Sequence, residues 1–211
     1  MLTEASQQAL KILRDGSLFQ WYLIPLFAFV VYVYAVEIER RNWDTIFAGL
    51  AFYGMDLFNE IWNALVLHFT QRSAVWTTPG HTAYLMLVGL TIEISFMFAV
   101  AGVIFTKMLP KDKGLKILGI PNRWFFAVAN AIFCVFVEVV LNKVNALVWE
   151  YSWWNFPNVG LIVIFGYLTF MVVSFWVHDM KRLRDKVATV LVIYAVDLTA
   201  IILFACRLKW I

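Results

Sequence analysis

Long apolar segments alternate with short polar stretches along the whole chain. Crossing about 30 Å of hydrocarbon takes roughly 20 helical residues, and these segments have about that length or more. Glycine and proline mark several of the breaks, as at Pro79-Gly80 and Pro157. The pattern predicts an all-α, polytopic membrane helix bundle of about six spans. The predicted spans are residues 18–36, 45–68, 83–106, 124–149, 158–177 and 187–207.

The composition agrees with a membrane protein. The 211 residues are 63% hydrophobic and 15% charged, whereas an ordinary soluble domain is about half apolar and about a quarter charged. We expect a single integral-membrane domain over residues 1–211. Residues 1–17 mix polar and apolar side chains and lack a signal-peptide cleavage pattern. They are expected to form either an interfacial N-terminal helix or a frayed tail.

Lysine and arginine are distributed unevenly between the predicted loops. The loops after spans one, three and five hold 11 of them, and the opposite side holds five. Because cytoplasmic loops carry the excess of basic residues, both termini are predicted to be non-cytoplasmic. The net charge of +3 is modest. The lipid bilayer is therefore the expected partner, and nucleic acid is not.

The most unusual stretch is FYGMDLFNEIWNALV, residues 52–66, inside the second predicted span. It carries Asp56, Asn59, Glu60 and Asn63, at positions i, i+3, i+4 and i+7. This spacing puts all four on one face of a helix. A polar face in an apolar span indicates contact with other helices or with an internal cavity rather than with lipid.

Two later segments resemble this stretch. The sequence NALV recurs at 63–66 and 145–148, and without gaps Glu138 aligns with Asp56. On the fourth span, Glu138, Asn142 and Asn145 again share one predicted face. In the last span IYAVDL matches FYGMDL and places Asp197 opposite Asp56. The matches suggest helix-pair repeats, with chance similarity as the alternative.

Carboxylates on four predicted spans share a similar depth. At 1.5 Å per residue they lie roughly 15–21 Å into their spans, near mid-membrane. A charge there costs about 2.5–3.5 kcal/mol, so the groups should line an internal polar pocket. The alternative is a hydrogen-bonded network that only joins the helices. The four carboxylates are those of Asp56, Glu93, Glu138 and Asp197.

Carboxylates in an apolar chamber can serve as general acid and general base. Nearby aromatic rings could stabilise a cationic intermediate. The predicted catalytic residues are Glu60, Asp197, Asp56, Glu138 and Glu93. The predicted substrate-binding residues are Asn59, Trp62, Asn63, Asn142, Asn145, Tyr53, Tyr194 and Trp153.

Two short motifs, NEIW at 59–62 and YAVDL at 194–198, resemble those of small polytopic membrane terpenoid cyclases. That family carries an Asn/Trp/Glu cluster on an early span and an Asp on the last one. Here Glu60 and Trp62 are not adjacent, and six spans are predicted where the family is drawn with seven. EYSWWNFP at 150–157 loosely resembles carotenoid hydratases. The resemblance implies protonation-initiated cyclisation, isomerisation or hydration of an isoprenoid or sterol-like lipid.

Other functions remain open at this point. A proton- or cation-coupled transporter would also place acids at the midplane. A metal enzyme is disfavoured because no HxxxH, ExxH or DDxxD-type spacing occurs. A ligand-binding or scaffold protein without turnover is a further possibility. The sequence predicts neither a metal nor a cofactor, and a hydrophobic, lipid-like substrate.

Overall fold

The computed structural model describes all 211 residues, and 68% of them are helical. The first helix, α1, is short, and α3 is the longest of the set. The helices are α1 (Glu4–Ile12), α2 (Leu23–Glu39), α3 (Trp43–Thr70), α4 (Ile92–Lys107), α5 (Asn122–Lys143), α6 (Val159–Asp179) and α7 (Leu183–Arg207). Two of them contain π-helical turns, at Ile162–Leu168 in α6 and at Ile202–Arg207 in α7.

Each of the six long helices, α2 to α7, overlaps one of the six predicted apolar segments. By length and composition, α5, α6 and α7 are able to cross a membrane. The helices α2 and α4 have 17 and 16 residues, fewer than the roughly 20 that a bilayer requires. The chain is therefore mostly helical with three candidate spans, a coarser result than the predicted six.

Short strands interrupt the predicted all-α pattern. The strands are β1 (Trp76–Thr77), β2 (Leu85–Leu87), β3 (Leu90–Thr91), β4 (Lys116–Ile117), β5 (Ile120–Pro121) and β6 (Val148–Trp149). They form three antiparallel pairs: β2 with β3, β4 with β5, and β1 with β6. The β1–β6 pair joins the segment that follows α3 to the segment that follows α5.

The β2–β3 hairpin corrects the start of the third predicted span. Residues 85–91 form this hairpin, so α4 begins at Ile92 rather than near residue 83. Thr91 caps the helix, since its hydroxyl accepts a hydrogen bond from the Ile94 amide at 3.2 Å. Glu93 therefore lies in the first turn of α4 and not about ten residues inside a span, as predicted.

Helix α3 lies at the centre of the bundle and packs against α4, α6 and α7. Its contact with α4 depends on small residues. A Cβ added to Gly102 would lie only 2.8 Å from the Gly49 carbonyl oxygen. Close backbone approach at small residues is typical of helix pairs in membranes. Helix α5 packs mainly against α6.

The segment after α5 does not repeat the segment inside α3. Helix α5 ends at Lys143, and Asn145 follows in a left-handed conformation with φ of 57°. The aligned Asn63 is helical and fully buried. The predicted third residue of the α5 polar face, Asn145, is therefore exposed in a turn, because the helix ends two residues earlier.

The N-terminal segment forms a helix rather than a frayed tail. The Thr3 side chain accepts a hydrogen bond from the Ser6 amide at the start of α1. Ala9 is fully buried against residues of α3 and of the β2–β3 hairpin, including Ala64 and Leu85. Helix α1 thus covers the end of the bundle at which α3 finishes.

Candidate functional site

The polar face predicted on α3 points into the bundle. Asp56 and Glu60 are 3% and 4% exposed, and Asn63 is fully buried. The i, i+4, i+7 spacing keeps these side chains together on one side of the helix. Each of the two acids has a carboxylate oxygen, Asp56 Oδ2 and Glu60 Oε2, without a hydrogen-bond partner in the protein.

Strand β1 is attached to this face through Asn63 and Glu60. Asn63 Oδ1 accepts from the amides of Val75 and Trp76, at 2.7 and 3.1 Å, and its Nδ2 donates to the Trp76 carbonyl at 2.8 Å. The Trp76 indole donates to Glu60 Oε1 at 2.9 Å. Asn63 therefore joins α3 to the segment that contains β1, and the Trp76 indole fixes the position of one oxygen of Glu60.

Gly89 lets the β2–β3 hairpin reach the same cluster. A Cβ at this position would lie 2.6 Å from Glu60 Oε2, from Asn63 Nδ2 and from Trp76 Cδ1. Real Cβ atoms do not come that close to other heavy atoms, so only glycine fits here without moving its neighbours.

A third acid, Glu138, approaches from α5. Tyr167, which lies in the π-helical turn of α6, donates to Glu138 Oε1 at 2.7 Å. The other oxygen, Glu138 Oε2, is buried without a hydrogen-bond partner. Single π turns within helices are rare and occur often at functional sites.

These side chains line one internal cavity of about 410 Å³, including the space at its mouth. The polar groups around it come from α3, α5 and α6. Aromatic rings complete the wall, with Trp76 and Trp154 stacked at a centroid distance of 5.8 Å. The polar lining residues are Asp56, Asn59, Glu60, Glu138 and Tyr167. We refer to this space as the acid cavity.

A larger apolar pocket of about 610 Å³ adjoins the acid cavity. Its walls are α4 and α5, two helices that make little direct contact with each other. Of its 13 lining residues, 12 are hydrophobic and the remaining one is Glu138. Glu138 and Tyr167 line both spaces. The rim residues Met97 and Phe133 are about half exposed on the outer surface of the bundle.

Asp197 occupies a separate place. It is 1% exposed, yet neither carboxylate oxygen has a hydrogen-bond partner in the protein. It lies against Gly54, whose added Cβ would be 3.7 Å from Asp197 Oδ2. Asp197 is close enough to Asp56 to interact with it electrostatically. Unlike Asp56 and Glu138, it does not line the acid cavity.

The predicted aromatic residues Tyr53 and Tyr194 also lie outside the cavity lining. The Tyr53 hydroxyl is 2.5 Å from Ser95 Oγ, which joins α3 to α4. The Tyr194 hydroxyl donates to the Leu50 carbonyl at 3.1 Å, which joins α7 to α3. Both hydroxyls therefore connect neighbouring helices.

Several predicted site residues are placed elsewhere. Glu93 accepts hydrogen bonds from Tyr22, Thr82 and the Ala83 amide and does not line the acid cavity. Asn142 Nδ2 donates to the Leu147 carbonyl, which closes the turn after α5. The remaining predicted residues outside the cavity lining are exposed: Trp62, Asn145 and Trp153.

Sequence reasoning missed three residues that form the site. Trp76 lies outside every predicted span, but it is 8% exposed and its indole binds Glu60. Tyr167 and Gly89 lie in apolar stretches that carry no local pattern. The pairing of β1 with β6, the β2–β3 hairpin and the π turn of α6 bring Trp76, Gly89 and Tyr167, respectively, to the acids.

No three His, Cys, Asp or Glu side chains in the chain are grouped closely enough to hold a metal ion. The arrangement instead offers carboxyl groups beside apolar and aromatic walls, which suits proton transfer more than ion coordination.

A model of an uncharacterized membrane protein family matches residues 3–206. The chain belongs to this family. An uncharacterized protein of Archaeoglobus fulgidus is 54% identical over 211 residues, the whole of both chains. A second protein of that organism, also uncharacterized, is 33% identical over 55 residues, which are 26% of this chain and 98% of its own. No solved structure matches. The family and the three apolar helices identify a membrane protein, and these matches show no resemblance to terpenoid cyclases.

Proposed function

We propose that the protein is a membrane-embedded enzyme that uses carboxyl groups of the acid cavity for general acid–base catalysis on an unsaturated, lipid-like substrate. The observation that carries the proposal is the position of Glu138. It is the one carboxylic acid that lines the apolar pocket, and it also belongs to the acid cavity. A hydrocarbon chain in the pocket would therefore meet a carboxyl group at its end.

Entry from the bilayer fits the geometry of the pocket. The pocket lies between α4 and α5, and its rim residues Met97 and Phe133 face outward among other exposed apolar side chains. A lipid-soluble molecule would reach it sideways without crossing water. Apolar pockets with few convergent polar groups are the usual form of small-molecule sites.

The proposed chemistry begins with protonation of a carbon–carbon double bond. Glu138 donates its proton to one carbon, the π electrons form the new C–H bond, and the neighbouring carbon becomes a cation. Loss of a proton from that cation to Asp56 or Glu60 gives an isomerised alkene. If the π electrons of a second double bond in the chain first attack the cation, a C–C bond closes a ring, the charge moves to a new carbon, and loss of a proton from there to the same carboxylate gives a cyclised alkene. Addition of water, with its proton passed to the same carboxylate, gives an alcohol instead. In both routes the electrons and protons balance, and no cofactor takes part.

Aromatic rings around the cavity would stabilise the cation. Trp76, Trp154 and Tyr167 lie in its wall together with Phe98 and Phe170. A cation over an aromatic face gains about 2 kcal/mol or more where water is excluded. This is a transition-state contribution, since the neutral substrate does not gain it.

The proposed topology has all six long helices crossing the bilayer and both termini on the non-cytoplasmic side. The two ends of the chain meet, since Arg14 Nη1 donates to the Ile211 carbonyl at 3.2 Å. Termini on one side require an even number of crossings. The basic loops at the opposite end of the bundle support its cytoplasmic orientation.

Mass spectrometry of lipids that co-purify with the protein, followed by incubation with unsaturated and epoxidised prenyl lipids, tests the proposal. Glu138→Gln should lower product formation by about 10²–10⁴-fold, the usual loss for a general acid. Glu93→Gln is the matched control, and activity per folded molecule should stay unchanged. Full activity of Glu138→Gln would refute the assignment. Proton flux in proteoliposomes without any lipid product would favour the rival hypothesis of a transporter.

A further inference from the structure

A basic bowl lies at the opposite end of the bundle from the two termini. It has a volume of about 1260 Å³, including its open mouth, and only two of its 14 lining residues are hydrophobic. Two carboxylates, of Asp44 and Asp179, face five basic side chains, an excess of three positive charges. The basic side chains are those of Lys107, Lys111, Lys113, Arg123 and Lys181.

Part of this charge is fixed in an internal framework. Arg123 forms a two-point contact with Asp179, from Nε to Oδ2 at 2.9 Å and from Nη2 to Oδ1 at 3.0 Å. Lys113 Nζ lies 3.3 Å from Asp179 Oδ1, and Lys107 Nζ lies 2.5 Å from Glu37 Oε1. These contacts tie the ends of α2, α4, α5 and α6 together and hold the bowl in shape.

Two ammonium groups stay outside that framework. Lys111 and Lys181 are exposed, line the bowl, and have no ion-pair or hydrogen-bond partner among the side chains of the protein. The remaining carboxylate of the bowl, Asp44, is already 3.1 Å from the ammonium group of Lys186. The two lysines lie in the segments that follow α4 and α6, respectively, and so approach the bowl from different connecting segments.

We infer that the basic bowl binds a phosphate-bearing anion, with Lys111 and Lys181 as its direct contacts. Lysine binds phosphate as a mobile point charge, and two ammonium groups from separate connecting segments can contact different oxygens of one group. The bowl opens at the ends of the helices, where both a lipid headgroup and a soluble pyrophosphate can reach it. The site is remote from the acid cavity and does not depend on the function proposed for it.

Orientation in the membrane is a simpler reason for basic residues at this end. The two explanations make different predictions. Orientation depends on the total number of basic residues near the ends of the spans. Binding depends on the two lysines that line the bowl, and equal charge placed elsewhere on the same end would not replace them.

Full-length protein in detergent, titrated with inorganic pyrophosphate by calorimetry, provides the first measurement. The second is native mass spectrometry of protein released from phosphatidylcholine nanodiscs that contain a minor fraction of phosphatidic acid. The test variant is Lys111→Gln/Lys181→Gln. The control is Lys116→Gln/Arg184→Gln, which removes the same charge from exposed residues of the same end that do not line the bowl.

The test variant should weaken binding by about tenfold for each lysine lost, and the control should bind like wild type. Loss of both ligands supports a site for phosphate groups in general, and loss of phosphatidic acid alone supports a headgroup site. Equal weakening in the two variants, or no binding by the wild type in either assay, would overturn the inference.

Discussion

Removing the Asn63 side chain should be among the most damaging single changes in this chain. Asn63→Ala leaves two amide groups and one carbonyl group of β1 without their partners, at a fully buried position. Each buried backbone group that loses its partner costs about 1–3 kcal/mol, so the loss is at least about 3 kcal/mol. For a chain of this size 1 kcal/mol corresponds to about 2–4 °C, so the minimum loss predicts an apparent Tm lower by at least about 6–12 °C.

The control for this prediction is Asn145→Gly. The aligned NALV sequences suggest that the two asparagines are equivalent, but Asn145 is exposed with φ of 57°, a conformation that glycine adopts freely. Its Tm in detergent should equal or slightly exceed that of wild type. Indole fluorescence should change only in Asn63→Ala, because Trp76 would leave its polar contact. If both variants have the wild-type Tm, the hydrogen bonds of Asn63 to Val75 and Trp76 do not stabilise the protein as the structure indicates.

Two further substitutions test the packing and the electrostatics around the acids. Gly89→Ala should lower stability by about 1–3 kcal/mol through overpacking against Glu60, whereas Gly160→Ala, with open space around its added Cβ, should melt like wild type. Thermal unfolding of the two variants would show this difference, and identical curves would contradict it. Asp197→Asn should retain or exceed the wild-type Tm, because neither oxygen of this buried carboxylate has a partner to lose. A clear fall in Tm would reveal a stabilising contact of the charge.

The positions of the long helices were predictable because apolar length is a local property. Each predicted span overlaps one of the helices from α2 to α7. The start of α4 was not predictable in the same way. The run from Leu85 to Thr91 is as apolar as the helix that follows it, and hydropathy alone does not separate a short buried strand from a helical turn.

The residues of the site also differ in how far the sequence could predict them. Asp56, Glu60 and Asn63 share one face because helical periodicity within a single helix fixes their relation. The prediction for Asn145 was wrong because it required α5 to continue beyond Lys143. Trp76 and Tyr167 were not predicted for another reason. Trp76 contacts Glu60 from a strand 16 positions away, and Tyr167 contacts Glu138 from a π turn 29 positions away. No periodic pattern in the sequence encodes such contacts.

The partners of the acidic side chains differ between the two ends of the bundle: cations at one end, neutral groups or none at the other. This difference is relevant to function. Toward the basic loops, Glu37 is paired with Lys107 and Asp179 with Arg123. At this end, cations therefore compensate the buried carboxylate of Glu37 and the partly buried carboxylate of Asp179. The acids around the acid cavity receive neutral partners or none, although leaving a buried carboxylate uncompensated is unfavourable. An amide at Glu60 or Glu138 could still accept the bonds from Trp76 or Tyr167 without that penalty, so structure alone gives no reason for a carboxyl group there. Proton transfer does give one, because an amide cannot take part in it.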